Sequence, residues 1–451
     1  MFGFDLNKEF KAIPNTLVVS FGALCNLLTI PIFLLQLDSQ DFGLWLIFSN
    51  LVTLMLLLLL GLDTTLPRLL SYILSGFKEV HHQKISSIDF YKDKVDIKLL
   101  NVFFRTTKSL IFKLTCFQIF IISAFLPFIH FISLRFGETG SLRILVEWLV
   151  YGIGGIFLFV FNLYNSLLRG TNSIWVSNLL VVFQRLSFLL LSILFLSFEK
   201  NLLAIGIASV MSNFFVFILS RRMVHKKFSL MINDSLIGKQ YGNFTYGNIF
   251  QNTKKVAINS LSAFLILRTS MLSSVIVLLP NDATRFNLTV TLFLALYGIS
   301  LEVARNYNTS LNIYQAKKDS EQLARTFKQM RFHTLGFFIV SGLFLMIFGG
   351  KLVSSISGDL TLIPLGHFIV LFAIYVLEMN HTISAIYLSS HNIFPVTYPG
   401  IISGILIALT GYVLANEFSI WGYIMAQGAI QLAYNNWKWP LAVRKELKAG
   451  N

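Results

Sequence analysis

Long apolar runs separated by short polar turns and a few basic loops set the pattern of this chain. Stretches long enough to cross a bilayer fall at 13–36, 42–62, 109–134, 144–168, 175–198 and 202–219. A second set follows at 256–278, 286–304, 335–356, 363–388, 397–415 and 419–436. A hydrocarbon core of about 30 Å needs ~20 helical residues, so the pattern predicts twelve membrane-spanning helices. The expected fold class is an all-α polytopic membrane protein. The first stretch does not read as a cleaved signal, because it is too long and no small-x-small site follows it. Leu24 stands before Cys25 where a lipoprotein site would carry a small residue.

Composition agrees with that pattern. Of 451 residues, 55% are hydrophobic and only 13% charged, and the mean hydropathy is +0.70. Soluble domains carry about 25% charged residues, so half that density leaves too little polar surface for them. Cys25 and Cys116 both lie in apolar segments, which excludes a disulfide framework and a cysteine-based zinc site. No Walker A run, G-x-S-x-G or H-E-x-x-H is present. No enzyme activity, cofactor or metal is expected.

The net charge of +15 gains its meaning from where the charge sits. With the N-terminus inside, 28 of the 36 Lys and Arg fall on inner segments. Five fall outside and three, Lys113, Arg185 and Arg268, within spans. Basic residues resist translocation, so this bias places both termini in the cytoplasm and gives the basic loops contact with anionic lipid. It also removes nucleic acid as the reason for the charge. Outer connections such as Asp38–Asp41 and Pro280–Arg285 are too short for a folded domain.

The loop pattern repeats. Each half has a tight outer turn after its first helix and a long basic inner loop after its second. Leu35…Asp41-Phe42 overlays Leu279…Arg285-Phe286 at an offset of 244. The expected domains are an N-terminal six-helix bundle at 1–220, a basic cytoplasmic linker at 221–255, and a C-terminal six-helix bundle at 256–451. A parallel repeat of this kind is a common transporter plan.

Ionisable residues inside spans are costly, so a functional reading starts with them. Arg185 and Arg268 lie near the midplane, each about 15–18 Å deep. Facing lipid, either would cost about 2.5–3.5 kcal/mol, which predicts a partner or a wet cavity. Asn178, Arg185 and Ser192 share one helix face, as a polar lumen stripe would. Ser262, Thr269 and Ser273, with Asn259, form a stripe opposite Arg268, leaving open which face is lumen and which is a packing seam. The tenth span carries His367, Glu378, Thr382 and Ser389 in one arc, with His381 beside them. Glu378 with either His reads as a proton or cation relay, or as a carboxylate neutralised by a midplane arginine. Asp63 and Glu302, near inner helix ends, read as gate ion pairs or as interface residues. Gly152, Gly154 and Gly155 predict close helix packing. Pro31 removes a hydrogen bond within the first span and bends it or acts as a hinge.

The segment Ile30-Pro-Ile-Phe-Leu-Leu-Gln-Leu-Asp-Ser-Gln-Asp-Phe-Gly-Leu-Trp45, with Gly61-Leu-Asp-Thr-Thr-Leu-Pro-Arg68, resembles the start of Wzx-type polysaccharide flippases. These belong to the multidrug/oligosaccharidyl-lipid/polysaccharide exporter superfamily. Phe42 replaces the Tyr usual in that family, and Asp63 follows Gly61 instead of preceding it. Leu167-Leu-Arg-Gly170 and Ile420-Trp-Gly-Tyr-Ile-Met-Ala426 add to the likeness. The resemblance implies two six-helix bundles around a cavity open alternately to each side of a bacterial inner membrane. It implies as substrate an undecaprenyl-diphosphate-linked oligosaccharide, moved from the cytoplasmic to the periplasmic leaflet for O-antigen or other surface polysaccharide. A cationic cavity is also implied, and Arg185 and Arg268 match it in character. Coupling to a proton, sodium ion or membrane potential, and association with a polysaccharide polymerase complex, are further expectations. The competing readings are a cation-coupled multidrug exporter of the same fold and a membrane-embedded polysaccharide polymerase or ligase.

Overall fold

The computed structural model describes residues 15–59, 61–75, 95–137, 141–171, 173–228, 246–317, 319–390 and 397–449. Among these residues the chain is helical throughout, with no strand. The helices are α1 (Asn15–Gln36), α2 (Ser39–Leu56), α3 (Leu62–Leu74), α4 (Ile97–Ala124), α5 (Leu126–Arg135), α6 (Ser141–Gly170), α7 (Ile174–Phe198) and α8 (Leu202–Phe228). They continue as α9 (Tyr246–Val277), α10 (Pro280–Arg305), α11 (Asn308–Lys317), α12 (Ser320–Ser357), α13 (Leu365–Ser390), α14 (Thr397–Phe418), α15 (Ile420–Ala433) and α16 (Asn435–Ala449). Each of the twelve apolar stretches lies on a helix or a broken helix. Ten helical segments among the described residues are long and apolar enough to cross a membrane, and Phe21–Gln36 is a shorter apolar one. The chain is a multi-pass membrane protein. Lys8, Lys11 and the middle of the basic loops, 76–94 and 229–245, lie outside the described residues.

Several boundaries differ from the sequence reading, each for a local reason. Pro127, in the first turn of α5, forces a break after Ala124, so the expected span 109–134 is two helices. Pro280 starts α10, where its missing N–H costs nothing, so 280–285 is helix and not an outer loop. Asp38 accepts a hydrogen bond from Asp41 N at 2.7 Å and starts α2 at Ser39. Gly61 adopts φ 73°, which ends the preceding helix and starts α3 as a separate element. A Cβ there would also meet Val256 Cβ at 2.7 Å. α1 runs on past Pro31 to Gln36.

The turns at 33–42 and 274–283 share a backbone hydrogen-bond pattern, in a register different from that of the sequence overlay. Leu37 N donates to Phe33 O and Phe42 N to Asp38 O; Leu278 N donates to Ser274 O and Ala283 N to Leu279 O. These pairs correspond at an offset of 241, not 244. Hydrogen bonding aligns the turns at 241, whereas the sequence overlay aligns Leu35 with Leu279 and Phe42 with Phe286 at 244.

The helices form two compact units. Unit 1 comprises residues 1–25 and 51–260, and unit 2 comprises 26–50 and 261–451. The hairpin made by the end of α1 and most of α2 thus groups with the second half of the sequence. In unit 1, α3, α4, α6 and α8 bury a core around Leu66, Leu70, Phe103, Leu163 and Val216. α6 and α8 approach closely at Gly154, where a Cβ would lie 2.9 Å from Ser209 Cβ, in keeping with the packing role expected of that glycine cluster. In unit 2, Phe293 of α10 stacks between Phe372 and Tyr375 of α13, at 5.9 and 5.3 Å. Phe338 of α12 closes against Tyr297 and Phe372.

Candidate functional site

Unit 2 carries a set of charged and polar groups within its apolar helices. On α9, the small polar face is the packing seam. A Cβ added at Gly400 of α14 would sit 3.1 Å from Ser262 Cβ, so that face is covered by a neighbouring helix. Arg268 points elsewhere. Its Nη1 donates to Asn50 Oδ1 at 2.8 Å. Asn50 is buried on α2, and its amide nitrogen donates to Leu46 O at 2.9 Å, which turns Oδ1 towards the guanidinium. Among the described residues no carboxylate lies within ion-pair distance of Arg268. A neutral amide orients this arginine without cancelling its charge.

Glu378 and His381 are buried on α13, with Glu378 Oε2 3.6 Å from His381 Nδ1. Glu378 Oε1 has no hydrogen-bond partner. The carboxylate therefore has no ion pair with Arg268, and its nearest ionisable neighbour is a histidine one turn along the same helix. Tyr297 of α10 donates to Glu378 O at 3.4 Å and also pairs with Thr382 Oγ1. Tyr375 lies within electrostatic range of both Arg268 and Glu378. Arg268, Asn50, Tyr375, Glu378, His381 and Tyr297 thus form one polar patch in the interior of unit 2. His367 is outside it. Eleven residues before Glu378, or about 16 Å along the helix, it stacks on Trp421 with centroids 4.4 Å apart.

In unit 1 the expected stripe on α7 divides. Arg185 is half-buried, and its Nη1 lies 3.4 Å from where a Cβ on Gly22 would be, so the bare glycine makes room for the guanidinium. Cys25 is within its electrostatic range. Asn178 is half-buried and makes no hydrogen bond among the described residues. Ser192 is fully buried with an unpartnered hydroxyl, so it sits inside the bundle and the stripe is not one continuous wall. The better-connected polar residue of unit 1 is Asn213, which donates to Gly154 O at 3.1 Å and Ser209 Oγ at 3.2 Å. It accepts from Gln184 of α7 at 2.8 Å.

The two residues read as gates have local settings. Asp63 stands in the first turn of α3, where a carboxylate is stabilised by the helix N-terminus. Glu302 pairs with Arg305 one turn on along its own helix. Sequence reasoning missed Asn50, Tyr297, Tyr375 and the buried Glu147, which pairs with Arg143 at 3.0 Å. An acid or an amide inside an apolar span was the available signal for Glu147 and Asn50. The tyrosines carried none, since Tyr is ordinary in apolar helices. Among the described residues no group of His, Cys, Asp and Glu is arranged to hold a metal ion.

No family model matches the chain. No curated protein matches it either. Solved structures do, over nearly the whole length, and they define the class by fold. One, described as the inward-facing conformation of a multidrug resistance MATE family transporter of the MOP superfamily, aligns with a TM-score of 0.69 at 12% identity, covering 96% of this chain and 95% of that one. The outward-facing conformation of such a transporter gives 0.62 at 12% identity, covering 96% and 94%. A MATE structure in the bent conformation gives 0.60 at 15% identity, covering 97% and 94%. The chain has a MATE-like fold.

Proposed function

We propose that the chain is an alternating-access transporter that moves undecaprenyl-diphosphate-linked oligosaccharide repeat units from the cytoplasmic to the periplasmic leaflet of a bacterial inner membrane. The product serves O-antigen or other surface polysaccharide synthesis. One observation carries the choice of substrate: Arg268 is held by the neutral Asn50, with no carboxylate against it among the described residues. A diphosphate suits it, because the planar guanidinium grips two oxygens at once and stays charged at any working pH. A hydrated sugar and a diphosphate cannot cross hydrocarbon unaided, whereas a polyprenyl tail is at home there. Arg185, with Asn178 two turns earlier on the same helix, is the corresponding cationic group of unit 1; Ser192, being buried, has at most a supporting role in that helix.

Glu378 with His381 is the coupling pair in this reading. A buried carboxylate with one oxygen unpartnered is the kind of group that takes up a proton or a sodium ion. His367 and Glu302 lie apart from it within unit 2 and Asp63 belongs to unit 1; all three are tuning or gating positions at most. Cation-coupled export of a multidrug substrate is the second reading, favoured by the same buried acid and by the transporters that share the fold.

The test is to delete the gene and locate the lipid-linked repeat units. The reading expects complete units protected from an external sugar-specific probe in sealed spheroplasts. Units that reach the outer face but stay unpolymerised would overturn it and favour the polymerase or ligase reading.

A further inference from the structure

The basic end of unit 1 carries a second candidate site, on helices remote in sequence from Arg268 and Glu378. On α8, Arg221, Arg222 and His225 are exposed, as is Lys108 on α4. His225 is within electrostatic range of both Arg221 and Lys108, so two positive charges from different helices meet beside one imidazole. Among the described residues none of these four has a carboxylate partner. Lys227, next along α8, is engaged differently: it donates to Thr171 O at 3.1 Å and Ser173 Oγ at 2.9 Å, tying down the α6–α7 turn.

Packing fixes the geometry around the cluster. Phe104 of α4 meets Phe228 of α8 with centroids 4.7 Å apart, one turn from Lys108 and one turn from His225. This contact closes one side. Towards the apolar middle of the helices the cluster borders aromatic surface. Phe112, one turn on from Lys108, is 69% exposed, and Phe214, two turns from Arg221, is 43% exposed. Phe157 meets Phe214 edge-on at 5.0 Å and stacks on Phe217 at 6.1 Å, and Phe217 leads to Tyr164, which is in range of Arg221.

We propose that Lys108, Arg221 and His225 bind the phosphate of an anionic phospholipid headgroup, with its acyl chains lying along Phe112 and Phe214. Uncancelled like charges at the end of apolar helices cost free energy unless an anion joins them, and a phosphate at the bilayer surface is the anion at hand. The adjoining aromatic surface makes an amphipathic ligand fit better than a free phosphate. The site is independent of what the protein transports.

Native mass spectrometry of the delipidated full-length protein, titrated with phosphatidylglycerol or phosphatidylcholine, tests this. At about 1 kcal/mol per basic residue, K108Q/R221Q should weaken phosphatidylglycerol retention roughly 30-fold and leave phosphatidylcholine unchanged. R325Q/K328Q removes the same charge from exposed positions of α12 and should have no effect. Phe112→Ala should weaken retention without any change in charge. If the double variant does not fold, K108Q and R221Q singly carry the test, each expected to weaken retention about fivefold. Equal loss in both double variants would show a net-charge effect and overturn the site. Unchanged retention in K108Q/R221Q would overturn it as well. Displacement of the lipid by equimolar inorganic phosphate would overturn the lipid assignment.

Discussion

Asn213 in unit 1 and Arg268 in unit 2 both sit on apolar helices and both hydrogen-bond to residues far away in sequence. Asn213 donates to Gly154 O and Ser209 Oγ and accepts from Gln184, so its donors and acceptor are all used between α6, α7 and α8. Arg268 has one neutral partner for a full charge, and an acid–histidine pair lies near it with an oxygen unused. The first is a closed network, which fixes helix positions. The second is an open one, with capacity left for an anion and for a cation. In apolar surroundings the capacity left over, more than the presence of polar atoms, separates a site from a structural contact.

Removing the open charge should have the largest effect. Arg268→Gln keeps the hydrogen bond to Asn50 within reach but removes the charge. It should lower export at least ~100-fold, on the scale of losing a charge-assisted bidentate contact of about 3 kcal/mol. Surface polysaccharide on a gel, normalised to membrane-inserted protein, reads this. Glu378→Gln should come next: transport falls about tenfold and loses its dependence on external pH, because the group that exchanges a cation is gone. A pH series in energised vesicles reads it, and an unchanged profile would remove Glu378 from coupling.

On the closed side of the comparison, Gly154→Val should act through stability. The added carbons collide with Ser209, and overpacking of this kind costs about 1–3 kcal/mol. A lower melting temperature in detergent, with normal turnover per folded molecule, is the expected result. The smallest effect belongs to Glu302→Gln. Its pair with Arg305 is exposed and local, so stability should shift by less than about 0.5 kcal/mol and transport should be unchanged. A large transport loss there would return Glu302 to the gate.

Hydropathy is a local property, and the twelve apolar stretches were legible for that reason. So were Arg268 and Glu378, since a charge in an apolar run is visible in one dimension. Their partners were not. Asn50 is 218 positions from Arg268, and helical periodicity says which face a residue occupies but not what covers that face. The same limit explains Ser192, which shares a face with Arg185 yet is fully buried. It explains α9 too, where periodicity leaves both stripes equivalent and only the packing of Gly400 against Ser262 distinguishes them. The hairpin at 26–50 grouped with unit 2 through contacts far along the chain, which a reading by consecutive halves does not detect.

The central claim is that Arg268 receives a diphosphate. Purified protein in proteoliposomes with a fluorescent isoprenoid-diphosphate sugar tests it most directly, by quenching the label from outside as it changes leaflet. Rapid exchange is expected with the native chain, slow exchange with Arg268→Gln, and partial recovery with Arg268→Lys, which restores charge but not the planar fork. Equal exchange by the native chain and Arg268→Gln, or transport of a cationic drug in place of the lipid, would contradict it.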